Sequence, residues 1–400
     1  MDKLKILFLG SYIPYDKLDY VTKVSSVVDY PGIKLQENIV TGLQKYAEVK
    51  SINVPLIRTC IGFNSIIKGY SFTLGDVNDN ISVGYLNIIG FKQITSLYGS
   101  LKHFRRMKFI PDIILIYSMS SDSFILADKI RKESKNSRIV PIITDLPFNM
   151  DMNGGRIYKF LKTVENSILM HYFKKFNGYI LLSEYMTEKL PVNGKKYEIV
   201  EGIYGEDIIA PDVTNNDTKT ILYIGNMSNA YGVKTLIEAF MLIKRDNYQL
   251  LLRGEGSDAE YLDSVCKKDN RIKVLPRLSR EEILRYERNA TLLVNPVPPS
   301  LPLTRYFFPS KTMEYLASGT PTLMYHLDCI PAEYDKYINY IKTESVDDMY
   351  KSMVEICEKP AEDLNKKGQE AAQFIKMKKN KEVQTFKIFN FLQIVSNGLC

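Results

Sequence analysis

The amino-acid sequence predicts an α/β protein made of two Rossmann-like domains that face each other across a cleft. In each half of the chain, short apolar runs of strand length alternate with amphipathic helical segments, which is typical of doubly wound α/β domains. A turn-rich stretch at 201–219 separates the two series, so we place the interdomain linker there. The length of 400 residues also exceeds the size at which a single core keeps growing.

The first half contributes four strand candidates, each predicted by an apolar run: 5–10, 111–117, 138–145 and 178–182. A helix is expected to open at Pro31, where Gly32 either lets the backbone approach a phosphate or serves only the turn. Asp145 ends its strand at the edge where such sheets bind ligands, so it either contacts an acceptor hydroxyl or caps the next turn. Ser183 is the expected N-cap of a short helix.

The second half repeats the alternation after the linker. Strands are predicted at 220–224, 248–252, 272–275 and 291–294, with helices at 233–243, around 261–262 and after 279. The last of these helices opens with a capping box, Ser279 to Glu282. The tail at 361–392 is predicted to be helical, and its apolar face needs a packing partner.

Residues 307–324, FFPSKTMEYLASGTPTLM, carry the most specific pattern in the chain. Ser310 is the expected N-cap of a helix over 311–318, and Gly319 is its expected C-cap. The unpaired N–H groups at the start of such a helix form an anion site. Glu314 would repel a phosphate placed too close to it, so it is better suited to bind neutral hydroxyls beside the phosphate. Alternatively, Ser310 and Glu314 only cap a surface helix.

The composition limits the class of protein. Apolar residues make up 45% of the chain and charged residues 25%, as in soluble globular proteins, and no apolar run approaches the roughly 18 residues of a membrane span. The run at 6–9 is too short for a signal peptide, so we expect a cytoplasmic protein. The five cysteines and three histidines are scattered without Cys-x-x-Cys or His-Glu-x-x-His spacing, so we expect neither a disulfide framework nor a metal site.

Positive charge is concentrated in the first half of the chain. The first 200 residues hold nine more cationic than anionic side chains, whereas the second 200 hold two more anionic ones. This excess predicts an anionic partner, either nucleic acid or a bilayer surface. The segment 101–109, LKHFRRMKF, could lie on such a membrane as a helix, or its aromatic residues could enter the core. Because no RNA-binding motif accompanies this segment, we do not expect a nucleic-acid partner.

The run PSKTMEYLASGTPTL resembles the donor-binding segment of family 4 glycosyltransferases of the GT-B fold, of the bacterial surface-polysaccharide type. The resemblance implies a nucleotide-sugar domain at 205–379 and an acceptor-binding domain at 1–204, onto which a terminal helix at 380–400 packs back. It also implies transfer with retention of anomeric configuration, without a metal ion or cofactor.

By this resemblance, the backbone amides of Ser310 and Lys311 bind the diphosphate of the donor, and Glu314 holds the ribose hydroxyls. The candidate catalytic residues are Glu314, Asp145 and Arg253. The candidate donor-binding residues are Gly32, Gly225, Asn226, Arg253, Gly254, Arg305, Tyr306, Pro309, Ser310, Lys311, Thr312 and Glu314.

The sequence departs from the family pattern at three positions. Tyr306 replaces a common glutamate, while Asn226 and Tyr231 replace an arginine and a lysine that neutralise the diphosphate. Arg253 and Arg305 could substitute for these cations, or both could be ordinary surface residues.

The resemblance implies a transferase that moves sugar from a UDP- or GDP-sugar to a lipid-linked or glycan acceptor in capsule, exopolysaccharide or O-antigen synthesis, at the inner face of the cell membrane. The missing family residues leave two alternatives open. One is a catalytically silent subunit that binds a partner transferase, and the other is a sugar-nucleotide epimerase of the same fold.

Overall fold

A computed structural model of the chain describes residues 3–24, 29–57, 66–88, 91–117, 120–146, 156–192, 194–205, 218–256 and 259–398. The chain forms two compact units. Unit 1 comprises Met1–Gly205 and Lys381–Cys400, and unit 2 comprises Glu206–Asn380. Most of the stretch predicted as the linker lies outside the described residues. None of the helices in the described ranges is both long enough and apolar enough to cross a membrane.

Unit 1 is built on an eight-stranded sheet in the order β10-β9-β8-β7-β1-β2-β5-β4. All neighbouring strands are parallel except β4 and β5, which are antiparallel. The strands are β1 Lys5–Gly10, β2 Glu48–Asn53, β4 Tyr70–Leu74, β5 Val77–Ser82, β7 Ile113–Ile116, β8 Arg138–Ile143, β9 Tyr179–Leu181 and β10 Tyr197–Ile199, while β3 Ile66–Ile67 and β6 Tyr85–Leu86 form a separate pair.

The helices of unit 1 include the last helix of the chain, α12. They are α1 Leu18–Val24, α2 Tyr30–Leu43, α3 Lys92–Met107, α4 Ser121–Glu133, α5 Arg156–Phe173 and α12 Lys381–Ser396. The side chains of Ile388, Phe391, Leu392 and Val395 belong to the same buried cluster as strand β1. Helix α12 lies so close to α2 that a Cβ atom on Gly42 would be 2.5 Å from the Thr385 side chain. The core of unit 1 is therefore built from both ends of the sequence.

Unit 2 is built on six parallel strands in the order β13-β12-β11-β14-β15-β16. The strands are β11 Lys219–Asn226, β12 Tyr248–Glu255, β13 Ile272–Val274, β14 Leu292–Asn295, β15 Thr322–Tyr325 and β16 Ile338–Ile341. The strand order reverses between β11 and β14. Open parallel sheets bind ligands in the crevice at the carboxyl ends of the strands where this reversal occurs.

The helices of unit 2 are α6 Val233–Met241, α7 Ala259–Lys268, α8 Arg280–Asn289, α9 Ser310–Ser318, α10 Val346–Cys357 and α11 Ala361–Lys378. The capping box predicted at the start of α8 is formed, since Ser279 and Glu282 each accept a hydrogen bond from the other's backbone. The α/β class with two parallel-sheet domains is confirmed. The helix predicted after Ser183 is instead a 3-10 helix, Glu184–Glu188, although Ser183 does cap it.

Candidate functional site

Helix α9 begins directly after Pro309 and ends at Gly319, which adopts the left-handed conformation with φ of 78°. The helix starts one residue earlier than predicted, because Pro309 and not Ser310 occupies the N-cap position, and no side chain caps the helix. Glu314 accordingly lies beyond the first turn. A Cβ atom on Gly368 of α11 would be 1.8 Å from the Gly319 carbonyl oxygen, so α9 and α11 pack backbone against backbone.

Tyr315 anchors α9 in the gap where the sheet of unit 2 reverses. Strands β11 and β14 pair only at Ile221 and Leu222, so the backbone of Ile224 extends past the last paired residue. The Tyr315 hydroxyl, which is fully buried, accepts a hydrogen bond from Ile224 N at 2.9 Å and donates to Ile224 O at 3.2 Å. The tyrosine thus provides the hydrogen bonds that a neighbouring strand would otherwise make.

We expect Tyr315→Phe to lower the free energy of unfolding of unit 2 by about 1–3 kcal/mol, because two buried backbone groups lose their partner. Urea unfolding measures this loss. Tyr286→Phe, at a partly exposed position on α8, is the control and should change stability little. Equal stability of the Tyr315 variant and the wild type would contradict the anchoring role.

The start of α9 has the features of an anion site. The Thr312 amide bonds to Pro309 O at 2.8 Å, whereas within the described ranges the amides of Ser310 and Lys311 donate to no acceptor. Ser310 is exposed, so solvent reaches this end of the helix. Unpaired amides and the positive end of the helix dipole together favour a bound anion.

A cluster of four ionisable side chains joins α8 to α9. The Lys311 ammonium donates to Glu314 Oε1 and lies 3.2 Å from Oε1 of Glu287, while Arg280 Nη1 lies 2.8 Å from Glu314 Oε2. The Glu287 side chain is fully buried, and that of Glu314 is 14% exposed. Because Arg280 is half exposed, its pairing with Glu314 is the weakest link of this cluster.

Glu287 is the carboxyl group of this cluster whose surroundings favour a bound proton. Its Oε2 atom is buried and accepts no hydrogen bond from the described donors, which is costly for an ionised carboxylate. Burial raises the pKa of Glu287 well above 4.5, and the adjacent Glu314 carboxylate raises it further. Burial also opposes ionisation of Glu314, but Lys311, a hydrogen bond from Glu287 and the Arg280 charge lower its pKa to about 2. The opposite directions of these two pKa shifts favour the proton on Glu287 and the negative charge on Glu314.

Glu287 and Arg280 were not predicted from the sequence as site residues. Helix α8, REEILRYERN, is so rich in charge that it is typical of a solvated helix. A signal was nevertheless present, since Glu287 falls between Ile283 and Ala290 at helical spacing, and both of these residues pack on the core of unit 2. A glutamate on an apolar stripe indicates a buried carboxyl group.

Arg253 lies at the carboxyl end of β12, beside Ile224 of β11. Because side chains alternate along a strand, it lies on the same sheet face as Leu251, which packs with Tyr315. Its Nη1 donates to Gly254 O at 3.0 Å, and its buried Nε has no acceptor among the described residues. No carboxylate in the described part of the chain pairs with this guanidinium. Arg253 is thus suited to bind an added anion on the face that carries α9.

Several solved structures share this fold, and their alignments cover nearly the whole chain. Sucrose-phosphate synthase from Thermosynechococcus elongatus superposes with a TM-score of 0.66 at 13% identity, covering 98% of this chain and 100% of its own. The lipopolysaccharide outer core galactosyltransferase WaaB, in its apo form, gives 0.63 at 15% identity, covering 98% and 99%. HepE from Anabaena, in complex with UDP, gives 0.61 at 12% identity, covering 98% and 100%. No curated protein sequence matches.

Residues 218–359, which include α8, α9 and Arg253, match the family model described as glycosyl transferases group 1. These residues form a group 1 glycosyltransferase domain, and the chain as a whole has the fold of GT-B transferases. The predicted family and enzyme class are thereby confirmed, and enzymes of this family are retaining and metal-independent. The surface-polysaccharide subtype stays a prediction.

The other strand-end residues of the glycosyltransferase serve local structure in unit 2. Gly254 lies against β11, where a Cβ atom would be 1.7 Å from the Gly225 carbonyl oxygen. The Asn226 side chain accepts a hydrogen bond from Ser228 N at 2.9 Å. Arg305 pairs with Asp328, so its charge is already balanced, and Tyr306 ends the 3-10 helix Pro302–Arg305. Of the two candidate replacement cations, Arg253 is therefore better placed than Arg305.

Two predicted site residues lie in unit 1 of the glycosyltransferase. The Gly32 amide donates to Asp29 Oδ1 at 3.0 Å, and a Cβ atom on Gly32 would be 2.0 Å from Oδ2 of the same carboxylate. Gly32 thus serves the capped turn at the start of α2, where Asp29 would repel a phosphate. Asp145 follows β8 and is exposed, although surrounding protein atoms desolvate it enough to raise its pKa, and Asp29 adds to this effect.

Proposed function

We propose that unit 2 binds a UDP- or GDP-sugar at the carboxyl edge of its sheet, and that the enzyme transfers the sugar with retention to a lipid-linked or glycan acceptor held by unit 1. One observation carries this proposal. The half-buried Arg253, which no carboxylate in the described chain neutralises, lies on the same sheet face as α9, whose first amides are unpaired. A diphosphate supplies the negative charge that both features lack.

Different residues around α9 contact different parts of the donor. The Arg253 guanidinium and the amides of Ser310 and Lys311 bind the diphosphate and stabilise the charge that develops on it as the glycosidic bond breaks. The Lys311 side chain is tied to Glu287 and Glu314, so it orients these carboxyl groups and does not contact phosphate. Glu314 accepts hydrogen bonds from the ribose hydroxyls on the side that Arg280 covers in the free protein.

The related structures support the proposed donor and acceptor. HepE was solved with UDP, and WaaB is a galactosyltransferase of the lipopolysaccharide outer core, which supports a UDP-sugar and a polysaccharide acceptor. We propose that Asp145 contacts an acceptor hydroxyl. With its raised pKa, its carboxyl group accepts a proton more readily than an ordinary aspartate does.

The proposal is tested by thermal shift across UDP, GDP, ADP and their common sugar conjugates. A nucleotide that binds only the native state raises the melting temperature in proportion to the logarithm of its concentration over its Kd. We expect stabilisation by uridine or guanosine compounds and slow hydrolysis of one sugar conjugate. No binding across the panel would instead support the silent subunit, and conversion of the donor sugar without an acceptor would support the epimerase.

Arg253→Ala is expected to weaken binding of the nucleoside diphosphate about 10- to 150-fold, because charge-assisted hydrogen bonds of about 1.5–3 kcal/mol are lost. Arg305→Ala is the matched control, since Arg305 is paired with Asp328. We expect its Kd to change less than about threefold. Calorimetric titration with UDP and GDP compares the two variants, and a larger loss for Arg305→Ala would reverse their assignments.

A further inference from the structure

A stripe of exposed side chains runs along the outer face of α3 in unit 1. Phe91, Ile94 and Tyr98 are 57%, 64% and 71% exposed, and they are followed by the exposed cations Lys102 and Arg106. Their spacing of three or four residues places all five on one side of the helix. We call these five residues the α3 stripe. Large apolar side chains form one end of it, and cations form the other.

The opposite face of α3 is buried in unit 1, so the α3 stripe faces outward. Ser96, Ser100 and Phe104 are buried on that face, and Ser96 Oγ donates to Asp122 of α4 at 2.7 Å. Helix α3 makes its most extensive packing contacts with α4. The orientation of α3 is therefore set by packing within unit 1, and the stripe is not a face that rotation of the helix would bury.

The stripe borders a shallow groove of about 490 Å³. Val83, Gly84, Ile94 and Tyr98 line its apolar part, and Lys102, His103 and Arg106 line its basic part. Such a site suits a molecule that has both an apolar portion and a negatively charged portion.

The segment of sequence that contains the α3 stripe carries only positively charged side chains. Residues 81–111 contain five lysines and arginines and no aspartate or glutamate. Glu133 of α4 pairs with Arg105 through a forked contact of 2.7–3.2 Å, which leaves Lys102 and Arg106 as the cations at the groove. Burial and the neighbouring charges of Arg106 and Lys102 lower the pKa of His103, so this histidine adds little charge near neutral pH.

We propose that the α3 stripe docks unit 1 on an anionic lipid bilayer. The apolar side chains Phe91, Ile94 and Tyr98 enter the boundary between headgroups and acyl chains, while Lys102 and Arg106 bind lipid phosphates. Of the two alternatives for 101–109, the structure supports the second for the aromatic residues, since Phe104 and Phe109 are buried in unit 1. The proposal depends on the proposed function in one respect, since docking on a membrane would bring the enzyme to a lipid-linked acceptor.

Cosedimentation of the full chain with vesicles tests the docking surface. We expect binding to vesicles of phosphatidylcholine with phosphatidylglycerol, and not to vesicles of phosphatidylcholine alone. Both Lys102→Glu/Arg106→Glu and Ile94→Ser/Tyr98→Ser should lower the partition coefficient about tenfold or more. The matched controls are Lys268→Glu/Lys273→Glu and Leu242→Ser/Val274→Ser, all at exposed positions of unit 2, and neither should lower binding.

The absence of tryptophan from the chain allows a direct measure of insertion. With Tyr98→Trp, fluorescence should shift to the blue when anionic vesicles are added. Tyr197→Trp, at an exposed position on β10, should show no shift. Absence of vesicle binding by the wild type, equal loss in the control variants, or a blue shift only at position 197 would overturn the proposal.

Nucleotide binding distinguishes this proposal from the proposed function. The variants on α3 should retain the wild-type Kd for UDP or GDP, because they change unit 1 and not the donor residues of unit 2. Vesicle binding without nucleotide binding would support the docking surface and contradict the donor site. Nucleotide binding without vesicle binding would support the donor site and contradict the docking surface.

Discussion

Glu314→Ala is expected to lower the affinity for the nucleotide-sugar about 10²- to 10⁴-fold and to abolish measurable hydrolysis. The carboxylate is held ionised, with its pKa lowered to about 2, so at any physiological pH it is the anionic acceptor that the proposed ribose contact requires. Losing two hydrogen bonds to a charged acceptor, each of about 1.5–3 kcal/mol, accounts for this range. Calorimetric titration and a coupled assay for nucleotide release measure the two effects.

The fold should survive this substitution, because Lys311 keeps Glu287 as a partner 3.2 Å away. Once Glu314 is removed, Glu287 can ionise and balance the lysine. Glu314→Gln is the matched variant, since it keeps the side-chain shape and removes the charge. We expect it to bind donor more weakly than the wild type and more tightly than Glu314→Ala. A Kd within about threefold of wild type for both variants would exclude a ribose contact.

Glu287→Ala is expected to destabilise unit 2 by about 3–5 kcal/mol, whereas Glu287→Gln should cost less than about 1 kcal/mol. Alanine leaves a cavity and removes a partner from the partly buried Lys311, and it also removes the hydrogen bond to Glu314. Glutamine is the neutral isostere of a protonated glutamate. Its amide can donate to Glu314 while its oxygen accepts from Lys311. Urea unfolding of the two variants measures the difference, and equal destabilisation would show that Glu287 is ionised.

The pH dependence gives an independent test of the proton on Glu287. A carboxyl group whose pKa is raised on folding binds its proton more tightly in the native state, so it disfavours the native state progressively as the pH rises above 4.5. Glu287→Gln lacks this titration. Relative to the glutamine variant, the wild type should therefore lose stability as the pH rises from 4.5 toward the folded-state pKa. A constant difference across that window would contradict the assignment.

Local patterns of the sequence were sufficient to predict most of the secondary structure. The strand predicted at 5–10 is β1, and the helix predicted at 311–318 differs from α9 by one residue. These elements are bounded by proline and glycine, whose backbone restrictions act within a few residues. The same patterns did not predict β16, which forms the edge of the unit 2 sheet, or the start of α3 at Lys92.

The candidate site could be predicted only in part, because its chemistry depends on contacts between distant segments. The motif indicated Glu314, but its proton-sharing partner Glu287 lies 27 positions away on a helix that is typical of solvent. Arg253 and Arg305 were equivalent in sequence, and only the ion pair of Arg305 with Asp328 separates them. Gly32 was compatible with a phosphate loop until the Asp29 carboxylate was found at its amide.

Helix α12 has a consequence for synthesis of the enzyme on the ribosome. Unit 2 emerges completely before α12 does, whereas unit 1 must wait for Ile388, Phe391 and Leu392 to complete its core. At typical elongation rates, the nascent first half would wait about 10 to 35 seconds with the apolar side of α2 uncovered. Unit 1 is thus made first but completes its folding last. Premature termination within α12 would therefore damage unit 1 more than unit 2, although unit 2 directly precedes α12 in the sequence.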